Sequence, residues 1–280
     1  MKALRVLVMA AILAGIPRFA PAKDVPRLLY VMDFETGNLD QWPRKKLPAA
    51  DSAHVVTNPV RAGRYAAEFV LRKSDPMVSE GKRCELQVND VGEIGGEYWY
   101  GFSTMIPADW RADAKAGEVV AQWKGRPDEE LGESSTRSPS LALRVAGENW
   151  RVTVQADPNP LTRESGTPRK SVWRGKITRD AWTDWVFRVR WSYRSNGRVE
   201  VWKDGKRVRV FRGPNAYNDK GKIYFKIGIY KPSWNDPAVP SDVNVRRIYH
   251  DEIRIGGATA KYEDVAPAPR AGAASGPDSR

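Results

Sequence analysis

Polar and apolar residues alternate at a two-residue period through much of the chain, and clusters of Gly, Pro, Asn, Asp and Ser interrupt the alternation. That period belongs to strands with one buried face, because successive strand side chains point to opposite sides. It predicts strands over Leu28–Phe34, Ala66–Leu71, Arg83–Val88, Tyr98–Ile106, Glu118–Trp123 and Ser140–Val145. Further strands are predicted over Trp150–Gln155, Trp185–Trp191, Arg198–Lys203, Lys206–Phe211, Ile223–Tyr230 and Val245–Ile255. Asp204-Gly205, set between two β-rich runs, reads as a hairpin with a type I′ turn. Long helical periodicity is absent, and Asp109–Ala116 is expected as one short helix. Many strands at short spacing predict an all-β sandwich or jelly roll of two packed antiparallel sheets. Arg126–Ser138 and Asp157–Lys170 are too rich in Pro, Gly and charge to be strands, and loops of this length are expected to rim or cover a groove. Trp123, Trp185 and Trp202 sit at alternating positions that suit the core.

Three separated segments put their polar members on one face. In Arg83-Cys84-Glu85-Leu86-Gln87, the residues Arg83, Glu85 and Gln87 share a side, with Cys84 and Leu86 behind. Gln122 and Lys124 likewise flank Trp123. Tyr224, Lys226 and Tyr230 line a third face, while Phe225, Ile227 and Ile229 turn to the core. If the three strands share a sheet, they form a patch holding an arginine, a carboxamide, two lysines and tyrosines. Such a patch suits an acidic sugar polymer.

The chain ends differ in composition from its body. Residues 1–22 read as a secretory signal, with Lys2 and Arg5 at a basic start, an apolar stretch from Leu4 to Ile16, and Ala20-Pro21-Ala22 for cleavage. The apolar stretch is shorter than the roughly 20 residues a bilayer span needs. A retained N-terminal anchor is the competing reading. Residues 265–280, rich in Ala, Pro, Gly and Ser, are expected to be a disordered tail, leaving one domain over 23–264. Export places the protein outside the cytoplasm, secreted or periplasmic, and it is expected to be a monomer and not an integral membrane protein.

The net charge is +12, and loss of the three signal cations brings it to +9. A basic exported protein meets anionic polymers; the known nucleic-acid motifs are missing, so an acidic polysaccharide is the expected partner. Scattered Lys and Arg as a solvated surface is the alternative. The single cysteine, Cys84, excludes an intramolecular disulfide and is expected to be a small buried hydrophobe.

The sequences Arg-x-Glu-Leu, Gln-Trp-x and Tyr-Phe-Lys-x-Gly-x-Tyr resemble the three motif strands of jelly-roll polysaccharide lyases. Asp33-Phe-Glu-Thr-Gly and Ile248-Tyr-His-Asp-Glu-Ile-Arg-Ile-Gly are similar to outer strands of the heparin lyase I-like family, which includes the glucuronan lyases. Alginate lyases of similar fold share the motifs. The resemblance covers about residues 28–257. It implies a concanavalin A-like sandwich whose concave sheet cleaves a polyuronate by elimination, with no cofactor required. It also implies that Tyr230, Gln122, Arg83 and Lys226 are catalytic.

The chemistry fits the residue types. A uronate lyase removes the C5 proton next to the carboxylate and expels the 4-linked oxygen. The carboxylate charge must be neutralised first, a task for preorganised donors. Arg83 offers a charged bidentate fork and Gln122 an amide. Tyr230, with cations beside it, is the expected base and the source of the returned proton. Each has a plainer alternative: Tyr230 as a stacking aromatic, Arg83 as the ion-pair partner of Glu85, Lys226 as a binding rather than tuning residue. Lys124, Glu85, Tyr224 and Trp234 are expected to bind substrate, with Glu85 orienting Arg83 and Trp234 either forming a stacking wall or packing its own loop.

One departure from the family pattern is Lys124, where related lyases often carry histidine. Lys124 then takes over carboxylate neutralisation, or signals a shifted substrate or lost activity. The chain has two histidines, His54 and His250, and His250 is expected to be structural. Asn218-Asp219 precedes the Tyr-Phe-Lys strand, where some relatives bind calcium; a turn is the other reading, and any calcium would be structural. Three function classes remain open: a polyuronate lyase with glucuronan-like chains first, a non-catalytic lectin-like jelly roll, and a retaining glycoside hydrolase. The last needs two nearby carboxyls, and Glu85 has no second acid on its motif.

Overall fold

The computed structural model describes residues 27–134, 137–163 and 168–268. The expected signal segment 1–22 and the tail beyond 268 lie outside the described residues. Two antiparallel sheets pack face to face. The first joins β1 (Leu28–Met32), β3 (Ala53–Val56), β4 (Ala66–Arg72), β6 (Glu97–Ile106), β11 (Ala181–Arg190), β12 (Arg198–Lys203), β13 (Lys206–Arg212) and β15 (Val245–Gly256). The second runs β10 (Lys170–Lys176), β9 (Asn149–Val154), β8 (Leu141–Ala146), β7 (Glu118–Gly125), β14 (Ile223–Tyr230), β5 (Arg83–Gly92) and β2 (Arg44–Lys46).

Between the sheets lies one apolar layer. Trp123 from the second sheet sits 4.8 Å from Phe187 of the first and 4.9 Å from Phe225. Tyr100 donates to the Val91 carbonyl and accepts from Trp191 Nε1 at 3.1 Å, so a buried hydroxyl keeps its partners. His250 is fully buried here, 3.1 Å from the Thr104 hydroxyl and edge-on to Phe69; burial pushes its imidazole down to about 3. Cys84 is also sealed in, and burial pushes its thiol up. The Asp204-Gly205 hairpin has both residues at positive φ, 49° and 78°, as a type I′ turn requires.

Every predicted strand forms, and three short ones appear in addition: β2, β3 and β10. Asp109–Ala116 is not a helix but an irregular loop, held by a buried ion cluster described below. Trp202 is not in the main core. It lies on the outer face of the first sheet, 5.7 Å from Trp99 and 5.6 Å from Tyr262. Order extends past residue 264, the expected domain end: Val265 is fully buried and the Ala268 carbonyl accepts from Arg61 at 2.7 Å. Among the described residues, no helix is long and apolar enough to cross a membrane.

Candidate active site

The three motif strands are neighbours. β14 pairs with β7 on one side and β5 on the other. Register sets Tyr230 against Arg83, Lys226 against both Gln87 and Gln122, and Tyr224 against Lys124. Alternation therefore places these polar side chains on the outer face of the second sheet, while Cys84, Trp123 and Phe225 fill the core behind them. All of these polar side chains except Gln87 line a cavity of about 600 Å³.

Glu85 is the hub beneath that cavity. Its carboxylate accepts from Arg83 at 3.1 Å and from the Gln122 amide, and lies 3.5 Å from Lys226 Nζ. A carboxylate only accepts, so Glu85 fixes the Gln122 amide with its NH2 group inward and leaves its second N–H for a ligand. Glu85 itself is buried and is not among the cavity's lining residues. Grouped with the expected substrate-binding residues, Glu85 instead lies beneath the cavity lining, where its bonds to Arg83 and Gln122 match the expected orienting position.

Arg83 stacks its guanidinium 4.3 Å from the Tyr230 ring centre. Gly81 makes that possible, because a Cβ there would press on both Arg83 and Tyr230. The Tyr230 hydroxyl accepts from Asn235 Nδ2 at 3.3 Å. Asn235 is itself fixed, since its Oδ1 accepts from the Lys82 backbone N–H at 2.8 Å. Asn235 thereby fixes the position of the phenolic oxygen at the cavity wall.

Cations dominate this cavity. Burial, with Lys226 and Arg83 nearby, pushes the Lys124 ammonium down to about 7. Burial also brings Lys226 to about 8, against the pull of Glu85, and Arg144 to about 9. Tyr224 moves the other way, up to about 12 through burial and the Glu85 charge. Lys46, Arg137, Arg144 and Arg169 join from elements that sequence motifs did not mark. Lys46 comes from β2 and donates to Ser79 at 2.8 Å. Glu80 is the one acid among the described lining residues.

Trp234 lies elsewhere than expected for a stacking wall. Trp234 is 1 % exposed, donating Nε1 to Ser241 at 3.0 Å beneath the rim, so it cannot stack on a sugar. Asn218 and Asp219 are both engaged with protein groups. Asp219 is the counter-ion of Arg137, and Asn218 donates to the Pro158 carbonyl at 3.0 Å. Among the described residues, no group of three or more metal-ligating side chains converges there. His54 pairs with Glu68 at 3.2 Å on the opposite sheet. With His250 in the core, neither histidine reaches the cavity.

The family model described as polysaccharide lyase matches residues 34–254, most of the chain and all three motif strands. The chain belongs to the polysaccharide lyase family. A search of curated proteins finds no match. Among solved structures, this lyase is similar to an endo-β-1,4-glucuronan lyase from the fungus Trichoderma reesei. The identity is 21% and the TM-score 0.72, over 85% of this chain and 98% of that one. The alginate lyase AlgAT5 of polysaccharide lyase family 7 gives 14% identity and a TM-score of 0.53, covering 80% of this lyase and 96% of its own chain. The catalytic domain of a glycoside hydrolase family 131 protein from Coprinopsis cinerea gives 12% and 0.56, over 84% and 96%. At identities this low, the structural agreement shows a shared jelly-roll fold and no more.

Proposed function

We propose that this lyase is exported and cleaves a polyuronate by β-elimination, with a glucuronan-like chain as the first substrate to test. The observation that carries the reading is the meeting of Arg83, Gln122, Lys124, Lys226 and Tyr230 around one cavity rich in cations. Arg83, Lys124 and the free Gln122 N–H neutralise the sugar carboxylate, which makes the neighbouring C5–H acidic. Tyr230, as the phenolate, takes that proton; the C5 electron pair forms the C4–C5 double bond as the C4–O bond breaks. The phenol then returns the proton to the leaving oxygen. Lys226 holds Glu85 in line beneath the donors.

The same fold serves a hydrolase, yet retaining hydrolysis requires paired carboxyls about 5–5.5 Å apart. A single lining acid, Glu80, speaks against that chemistry among the described residues. Glucuronan comes first because the fold agreement with the glucuronan lyase is higher than with the alginate lyase. The test is incubation of the protein with glucuronan, alginate and heparin. New ultraviolet-absorbing unsaturated ends from glucuronan support the reading. Reducing ends without absorbance would replace it with hydrolysis, and binding without cleavage would replace it with a lectin-like role.

A further inference from the structure

A line of direct cross-strand neighbours runs through Tyr230 and continues well past the cavity. Arg83 pairs with Tyr230, Tyr230 with Val119, and Val119 with Arg144. Arg144 then pairs with Arg151, and Arg151 with Arg174. The line crosses six adjacent strands, from β5 to β10. A bulge between Val119 and Ala121 shifts the register of β7 at this crossing, and Val119 stands outside the main core cluster. Direct partners on adjacent strands share a face, and Arg144 lines the cavity beside Tyr230. The three arginines therefore extend the cavity's face toward the β10 edge.

Three guanidiniums in register repel one another, and like charges placed directly opposite destabilise a sheet. Among the described residues, no carboxylate forms an ion pair with any of the three. The Arg144 Nε donates to the Thr153 hydroxyl at 3.0 Å, and the buried Arg151 Nε has no protein partner. Elsewhere on the surface this protein does pair its arginines, as Arg188 does with Glu97 at 2.6 Å. An uncompensated row beginning at the cavity is arranged for a ligand that brings its own regularly spaced negative charges.

We propose that Arg144, Arg151 and Arg174 form a carboxylate-binding strip that starts at the cavity with Arg144 and runs outward, so that Arg151 and Arg174 grip a polyuronate at sugars beyond those at the bond placed at Tyr230. Four strand spacings separate Tyr230 from Arg174, about 19 Å at roughly 4.8 Å per strand. That span gives room for several sugar rings and makes the protein a reader of chain length. The strip rests on the proposed cleavage site for its starting point, but its binding is measurable without turnover.

The test compares Arg151→Gln, Arg174→Gln and the double variant with the unaltered protein. Binding is measured by calorimetry at low and high salt, using long polyglucuronate and its disaccharide, which is too short to reach from Tyr230 to Arg151. Each single change should weaken polymer binding about threefold to tenfold and flatten its salt dependence. Disaccharide binding should stay the same, and the melting temperature should hold or rise as the repulsion is relieved. Equal weakening of polymer and disaccharide, or no weakening of either, overturns the strip. If the unaltered protein releases no unsaturated ends yet loses polymer affinity in the variants, the strip stands and the elimination reading falls.

Discussion

Tyr230 and Lys231 are consecutive residues in two opposite electrostatic settings. Tyr230 faces a cavity where Arg83, Lys124, Lys226 and Arg144 surround a single buried acid, Glu85. Lys231 turns inward to a balanced cluster of two cations and two acids. Its Nζ lies 2.8 Å from Asp113 and 2.9 Å from Glu118, and Arg246 completes the group 3.0 Å from Glu118. All four are buried. In the balanced cluster, burial pushes Asp113 upward, but Lys231 and Ser241 outweigh it and hold the carboxyl below its usual range. In the cavity, burial and mutual repulsion push lysines down toward neutrality. Compensated buried charge joins loops 110–118 and 231–246 behind the site. The cavity instead holds more cations than acids.

The contrast breaks most sharply at its two named residues. Tyr230→Phe should lower kcat by about 10²–10⁴-fold while polymer binding persists; turnover near that of the unaltered protein would remove the phenol from proton transfer. Lys231→Met should leave turnover per folded molecule similar but cost roughly 3–5 kcal/mol, because two buried carboxylates lose their cation. Denaturant unfolding measures that loss, and a change below about 1 kcal/mol would show that the cluster is not what holds the rim. Asn235→Ala removes the donor fixed on the Tyr230 oxygen. A fall in kcat of roughly tenfold to a hundredfold is expected, the range for one hydrogen bond to a charged group. A fall in kcat with KM and melting temperature unchanged distinguishes loss of this donor from simple loosening of the site.

The smallest expected effect is in pH dependence. A bound carboxylate favours the protonated lysines, whose free forms titrate near 7 for Lys124 and 8 for Lys226. Binding near pH 8 should therefore take up protons, and affinity should fall roughly fivefold to tenfold between pH 7 and 8.5. Calorimetry in buffers of different ionisation enthalpy reads the uptake. The free protein has the opposite trend: over pH 7 to 10 the unfolded chain holds protons that folded Lys124 has released, so this residue adds stability as pH rises.

The motif strands were legible because period-two alternation shows both their cores and their polar faces. β2 and β10 were not, for a physical reason: Arg44-Lys45-Lys46 has no apolar alternate, and Lys170–Lys176 is an exposed edge strand interrupted by Gly175. The short-helix expectation over Asp109–Ala116 failed because tertiary ion pairs of Asp113 override local propensity. The position of Trp234 after Tyr230 does not fix which way the following turn rolls; here the turn sends the ring under the rim. Arg144, Arg151, Arg174 and Asn235 escaped notice because strand order and register, rather than spacing along the chain, bring them to Tyr230. Neither Glu85's role as hub nor the pairing of Asp219 with Arg137 could be fixed before the strands were placed side by side.

Cys84 lies directly behind the Arg83–Glu85 pair, with its sulfur 2.9 Å from the Ser52 carbonyl and no exposed surface. As the chain's sole thiol, it can be alkylated only when β5 peels from its neighbours. Its labelling rate by an alkylating reagent is therefore an internal clock for opening of the strand that carries Arg83, readable without any introduced cysteine or any substrate.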